Sequence, residues 1–334
     1  MRLIERAWYA PRHPLALLLS PLSCLFGWLA ARRRSAYARG ARTVTRLPVS
    51  VIVVGNLTVG GTGKTPLTAA LAAGLRAAGY TPGIVSRGYG GQADTPLAVS
   101  PDSHPAQVGD EPLLLARSTR APVWVCRQRA AAAQALLAAH PEVDIILCDD
   151  GLQHYALGRD IELCVIDGQR GFGNGRLLPA GPLREPVDRL QSVDAVVVNG
   201  EGDMPAHPHG FRMQLVPGVP YRLDNATITR SVAALPGPLT AVCGIGNPQR
   251  FFATLRGLGL QFAGHDFPDH HAFTVADLPA GTLIVTEKDA VKLAAMPDLG
   301  DAGARIWVLP VTAVIQPDLI AWLSEKLKHG RQTA

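Results

Sequence analysis

The 334-residue sequence is short of cysteine, and its five cysteines stand far apart with no Cys-x-x-Cys pair. That pattern excludes a disulfide framework and a cysteine-based zinc site, and it fits a reducing compartment. Charged residues are scarce at 18%, against 47% hydrophobic. The balance is globular with an apolar bias, and the length allows one large or two medium domains with real cores. Acid is almost missing from the first 46 positions, where Glu5 stands alone against nine arginines: Arg2, Arg6, Arg12, Arg32, Arg33, Arg34, Arg39, Arg42 and Arg46. That arm carries +8, so with the chain at +5 the remainder carries −3. A mildly acidic body is a poor partner for nucleic acid, whereas the basic arm suits an anionic membrane surface. A long unbroken apolar run is also lacking. The longest, Leu15 to Ala31, is short for a bilayer span and contains Pro21.

What is present is a phosphate-binding pattern. Val51-Ile52-Val53-Val54 is a β-branched run that reads as a buried parallel strand. Gly60, Gly61 and Gly63 follow in a turn, then Lys64-Thr65, then the Ala/Leu-rich helical run Leu67 to Ala78. Strand, glycine-rich turn, Gly-Lys-Thr and helix form the context of a P-loop. Backbone N–H groups of Thr58, Val59, Gly60, Gly61, Thr62 and Gly63 converge on one oxyanion, and the new helix aims its positive end there. In this reading Lys64 reaches the β- and γ-phosphates of ATP, and the Thr65 hydroxyl ligates Mg²⁺. Pro66 sits in the first turn, where its missing N–H costs nothing. The usual spacing would place the first glycine at Thr58, so the loop is closer to Gly-Gly-x-Gly-Lys-Thr. It resembles the loop of deviant P-loop ATPases, with Val59 where that group carries its extra lysine.

The apolar stretch before Arg32-Arg33-Arg34 has three readings: a cleaved signal peptide, a single span, or a membrane-embedded or interfacial helix with a basic collar. The first would export an ATP site to a compartment without ATP. Basic residues flank both ends, so the positive-inside rule does not orient it.

Downstream, Thr81 to Ser86 reads as a strand ending in Arg87-Gly88-Tyr89-Gly90-Gly91, either a plain turn or a substrate loop at the sheet edge. Gly109-Asp110-Glu111-Pro112 precedes a helix from Leu113 to Arg117. Its carboxylates complement a helix dipole, supply a general base, or hold a metal. Arg127 and Arg129 lead into another helix. Val143 to Asp150 is an apolar strand ending in Asp149-Asp150, the shape of a Walker B element, continued by Gly151-Leu152-Gln153-His154. Residues 173–186, with Asn174, Arg184 and Glu185, read as an ordered functional loop. The α/β rhythm lapses over 201–238, which predicts a domain boundary. His265 to His271 reads as one loop, open to a catalytic histidine, a surface role or a metal. Thr286 and Asp289 fit a helix N-cap with an acid at N3.

In order, Gly-Gly-Thr-Gly-Lys-Thr-Pro, Ser-Arg-Gly-Tyr-Gly-Gly, Gly-Asp-Glu-Pro, Asp-Asp-Gly-Leu-Gln-His, Phe-Gly-Asn-Gly, Leu-Pro-Ala-Gly-Pro-Leu-Arg-Glu, Asp-His and Thr-Glu-Lys-Asp-Ala-Val-Lys resemble the tetraacyldisaccharide 4′-kinase family of lipid A synthesis. The resemblance runs from the apolar N-terminus nearly to the C-terminus, with 201–238 and the tail after about Leu309 indistinct. It implies an α/β protein with a P-loop NTPase-type, mostly parallel sheet and helices on both faces, a second smaller α/β domain, and an N-terminal apolar helix. The expected divisions are 1–46 for membrane association, 47–230 for the P-loop domain and 231–334 for the smaller domain. The implied activity moves the γ-phosphoryl of ATP to the 4′-hydroxyl of a lipid A disaccharide 1-phosphate at the cytoplasmic face of the inner membrane. ATP and Mg²⁺ are the implied cofactors, and no obligate protein partner is evident. By resemblance Asp110 and His270 work together, with His271 the adjacent competitor. Thr65, Asp149, Asp150 and Glu111 are the metal candidates. Arg87, Tyr89, Arg129 and Gln153 are candidates to meet the acceptor, as are His154, Asn174, Arg184 and Glu185. The alternative is a P-loop ATPase that drives assembly or metal delivery, distinguished by acceptor-dependent ADP release.

Overall fold

A computed structural model describes residues 3–10 and 12–332. Met1, Arg2, Pro11, Thr333 and Ala334 lie outside the described residues, and with them Arg2 of the basic arm and the outer ends of the 1–46 and 231–334 expectations. The N-terminal segment forms three helices, α1 (Leu3–Tyr9), α2 (Pro14–Leu18) and α3 (Ser20–Ala38). The apolar run is therefore broken at Leu19 into two helices, with Pro21 in the first turn of α3 and Arg32 to Arg34 inside it. Proline there starts a helix rather than kinking one. Among the described residues no helix is long and apolar enough to cross a membrane.

From Ser50 the chain alternates strand and helix: β1 (Ser50–Gly55), α4 (Lys64–Ala77), β2 (Pro82–Ser86), β3 (Leu97–Val99), α5 (Pro105–Val108), α6 (Asp110–Ser118), β4 (Val123–Val125), α7 (Arg129–Ala139), β5 (Ile145–Asp149), β6 (Ile161–Asp167), β7 (Ala195–Asn199) and β8 (Gly210–Pro217). A second run follows: β9 (Tyr221–Arg222), β10 (Leu239–Cys243), α8 (Pro248–Gly257), β11 (Ala263–Asp266), β12 (Thr282–Thr286), α9 (Glu287–Ala294) and β13 (Ile306–Leu309). The chain ends with β14 (Val311–Gln316) and α10 (Leu319–Gln332).

The large sheet has the order β14-β8-β7-β6-β1-β5-β2-β4-β3, parallel except for the edge strands β14 and β3. Strand side chains alternate between faces. Ile52 and Val54 accordingly join the core under α4 and α6, while Val51 and Val53 join the core on the other face with Leu136 of α7. β2, β4 and β5 lie to one side of β1, and β6 to β8 to the other. The loop after β1 thus opens at the point where the winding reverses, where open α/β sheets bind ligands.

The smaller sheet has the order β11-β10-β12-β13-β9, with β9 antiparallel to β13. Its chain limits differ from the expected 231–334. β9 joins it from before residue 231, and β14 leaves it to pair antiparallel with β8 of the large sheet. α10 follows β14 and buries Leu319, Leu323 and Leu327 in the same core as Leu71 and Leu75 of α4. Burying each such leucine is worth about 1.5–3 kcal/mol, which fixes the terminal helix to the large domain. The expected single loop from His265 to His271 is also revised, because His265 and Asp266 are the last residues of β11.

Candidate active site

The turn between β1 and α4 is shaped by Gly60 (φ +109) and Gly63 (φ +96), both in the left-handed region that favours glycine. A side chain at Gly63 would also collide with Asn199, whose Nδ2 donates to the Thr62 carbonyl at 2.9 Å. Gly63 caps α4 without any side-chain hydrogen bond, so no cap side chain takes up the first N–H groups of the helix. The first two expected phosphate donors behave differently. Thr58 bridges to Leu183, and the Val59 N–H already donates to the Pro182 carbonyl at 2.8 Å. Of these two, the Val59 N–H is thus already engaged within the protein.

Asp149 ends β5 fully buried. Its Oδ1 accepts from Thr68 Oγ1 at 3.1 Å, while its Oδ2 has no partner. Burial, and after it the charge of Glu111, pushes its carboxyl up to about 7. Asp150 takes a left-handed backbone (φ +46) and pairs with Lys64 at 3.4 Å and Arg184 at 3.1 Å. Burial would raise its pKa, but Lys64 and Arg184 hold it well below the usual carboxylate range. Arg129 donates to the Asp150 carbonyl at 2.7 Å and stands 3.4 Å from His154 Nδ1. Burial and the charge of Arg129 push His154 down to about 3, so it is a neutral imidazole. Gln153 Nε2 donates to Glu185 at 3.0 Å, and Arg184 reaches Gln153 Oε1 at 3.5 Å. Tyr155, not singled out by the sequence, also donates to Glu185.

Asp110 opens α6, and His270 follows β11 in the smaller domain. The structure brings His270 Nδ1 to 3.0 Å from Asp110 Oδ2. Burial opposes ionisation of Asp110, yet the His270 hydrogen bond and the Lys288 charge lower its pKa. For His270, burial disfavours the cation, yet the hydrogen bond to Asp110 leaves its pKa raised. His270 holds a left-handed backbone (φ +59), and its own N–H donates to Asp269 Oδ1 at 3.1 Å. Tyr89 lies against its ring at 4.8 Å. His271 instead stacks on Phe267 and pairs with Asp277 at 3.2 Å, away from Asp110.

Two expected residues have partners within the protein. Glu111 Oε1 accepts from Lys288 Nζ at 2.8 Å, and among the described residues no group of three His, Cys, Asp or Glu side chains could hold a metal ion. The carboxylate is thus paired with Lys288, and it lines the cavity that also holds Thr65. Asn174 Nδ2 donates to the Ala7 and Ala180 carbonyls, so it fastens α1 to the loop rather than facing a ligand. Arg87 is exposed, and its charge is felt at Arg129 and His154. One cavity of about 190 Å³ joins the two domains. It is lined by Gly61 to Pro66, Glu111 and Lys288, and by the apolar Leu114, Leu215, Ile245 and Phe251. Gly246 lies on the P-loop, where any side chain would meet the backbone nitrogen of Gly61. Asp167 at the end of β6 clasps this same loop, accepting from Asn247 at 2.9 Å and pairing with Arg250 at 2.7 Å.

A sequence model of the tetraacyldisaccharide-1-P 4′-kinase family matches residues 15–328. The chain belongs to this family. It is 55% identical to a tetraacyldisaccharide 4′-kinase of Chromobacterium violaceum, over 99% of this chain and all of that one. A protein of the same name from Dechloromonas aromatica is 53% identical over 100% of this chain and 99% of its own. Among solved structures, LpxK from Aquifex aeolicus in complex with ATP superposes with a TM-score of 0.79 at 27% identity, covering 94% of this chain and 99% of that one.

Proposed function

We propose that the protein transfers the γ-phosphoryl group of ATP to the 4′-hydroxyl of a tetraacyldisaccharide 1-phosphate lipid A precursor. The observation that carries this reading is the 3.0 Å Asp110–His270 pair, built from two domains across the cleft that holds the P-loop. Phosphoryl transfer needs in-line placement, charge neutralisation and a group to take the hydroxyl proton. The uncapped start of α4 and Lys64 receive the phosphates. Lys64, now paired with Asp150, has an anionic partner to exchange for phosphate oxygens. Thr65 and the unpartnered, buried Asp149 Oδ2 suit a magnesium ion, which supplies further neutralisation of the phosphates when bound. Asp110 accepts the proton as the hydroxyl oxygen bonds to the γ-phosphorus and ADP leaves. His270 orients the carboxylate through its Nδ1.

The N-terminal helices supply a surface for the acyl chains and the membrane. Leu22, Leu25 and Leu29 recur at helical spacing on α3 and are at least half exposed, as are Trp28 and the Leu17 and Leu18 that end α2. The opposite side of α3 is bolted to the body, Ser23 Oγ donating to the Leu177 carbonyl at 2.7 Å and accepting from Ala180 N at 2.9 Å. An apolar stripe with Arg32 over Trp28 fits an interfacial helix at the cytoplasmic face of the inner membrane. The deciding experiment measures ADP release from ATP with and without the disaccharide precursor. Release that depends on the acceptor supports the kinase. Equal release without it supports an ATPase.

A further inference from the structure

Lys288 is the second residue of α9, in the first turn of that helix. A cation there faces the positive end of its own helix, which is unfavourable by the macrodipole rule. Its amine also crosses to the first turn of α6, a second helix N-terminus, where it meets Glu111 at 2.8 Å. Helix stability therefore does not explain the lysine. Residues that break a local rule mark places where another requirement prevails.

That requirement is visible in what the amine touches. Besides Glu111, Lys288 Nζ lies 3.1 Å from Asp269 Oδ1 and 3.9 Å from Asp110 Oδ2. Asp269 Oδ1 also accepts the His270 N–H and so supports the left-handed turn that presents the imidazole. Asp110 Oδ2 is the oxygen that pairs with His270. One amine thus meets Asp110 directly and reaches His270 through Asp269, from the domain opposite Asp110. It also lines the cavity that contains Gly61 to Pro66. Without it, Asp110, Glu111 and Asp269 lose the amine they share, and Asp110 keeps the His270 hydrogen bond and the smaller effect of the Lys292 charge. Like charges gathered in a partly buried cleft repel one another, which would spread it.

We propose that Lys288 is a positioning residue, which assembles the Asp110–His270 pair as the smaller domain closes on the P-loop. The proposal rests on the phosphoryl-transfer reading for its catalytic meaning, while the assembly itself is separately measurable. Lys288 acts through Asp110 and His270 rather than on the reacting atoms.

The test uses the full chain with Lys288→Met and Lys288→Arg. With the disaccharide acceptor, Lys288→Met lowers kcat about 10²-fold, within the span of general-base effects, and shifts the KM for MgATP by less than about threefold. Lys288→Arg keeps the charge and recovers about tenfold or more of the loss. Lys288→Met combined with Asp110→Asn loses little beyond Asp110→Asn alone, because the two act as a unit. Hydrogen–deuterium exchange, which needs no acceptor, speeds up in Lys288→Met at residues 109–113 and 267–271 but not in β1 or α4. Four results overturn the proposal: unchanged kcat, a loss confined to KM for MgATP, an arginine variant no better than methionine, or unchanged exchange in those two segments. A wild type that shows no acceptor-dependent turnover contradicts the kinase reading instead, and the exchange comparison still decides the role of Lys288.

Discussion

The shift of Asp110 has a definite sign. Its depressed pKa means that its stabilising contact is present above the ordinary carboxylate range and is lost as pH falls through the folded value. His270 runs the other way: its raised pKa keeps the contact below the ordinary imidazole range and releases it as pH rises through the folded value. The pair is strongest between those limits. Because the His270 hydrogen bond lowers the Asp110 pKa, His270→Ala should move the acid limb of the kcat–pH profile to higher pH. A profile that only scales down, with its limb in place, contradicts that coupling. Asp110→Ala and His270→Ala together should lose little beyond the worse single variant, and the neighbouring His271→Ala should be mild because its side chain pairs with Asp277. At this scale the sequence placed Lys64, Asp149 and Asp110 as candidates, since each sits in a contiguous motif beside a strand or helix end. Lys288 and Asp269 were not legible in those roles, because only closure of two domains gives their charges a meaning. Val59 and Asn174 have partners the sequence did not show, for a related reason. Their motifs are local, but Pro182 and Ala7 claim them from far along the chain.

The alternation of β-branched strands and Ala/Leu-rich helices announced the parallel sheet and its edge loops. It did not announce which sheet β14 would join, because a short amphipathic strand and a helix look alike beside either domain. The pairing with β8 and the leucines of α10 settle that locally. Leu323→Ala removes a fully buried side chain and should cost about 2–5 kcal/mol. Hydrogen exchange should place the damage in α4 and β8 and spare β10 to β13, and the opposite distribution would contradict the assignment of α10. The break of the apolar run at Leu19 likewise turns an apparent single helix into two with an exposed leucine stripe. Replacing Leu22 and Leu25 by glutamate should move the protein from the membrane pellet to the supernatant, since charge in an apolar interface is strongly opposed. Variants that still pellet would place the membrane contact elsewhere.

The described residues form two mostly parallel sheets whose loops meet over the P-loop. β1 carries it, Gly246 covers it, and Asp167 with Arg250 clasps the cover. Asp110 stands on one side and His270 on the other, 3.0 Å apart. A site assembled by closure is complete only with the cleft shut, which favours transfer to a bound acceptor over loss to water. The most direct measurement is single-turnover transfer from γ-labelled ATP to the disaccharide 1-phosphate, with wild type beside Asp110→Asn. The account predicts label on the 4′-oxygen of the lipid for wild type. It predicts a loss of about 10²–10⁴-fold for Asp110→Asn, with MgATP binding retained. Label released as inorganic phosphate at the same rate with or without the lipid, or undiminished transfer by Asp110→Asn, would contradict it.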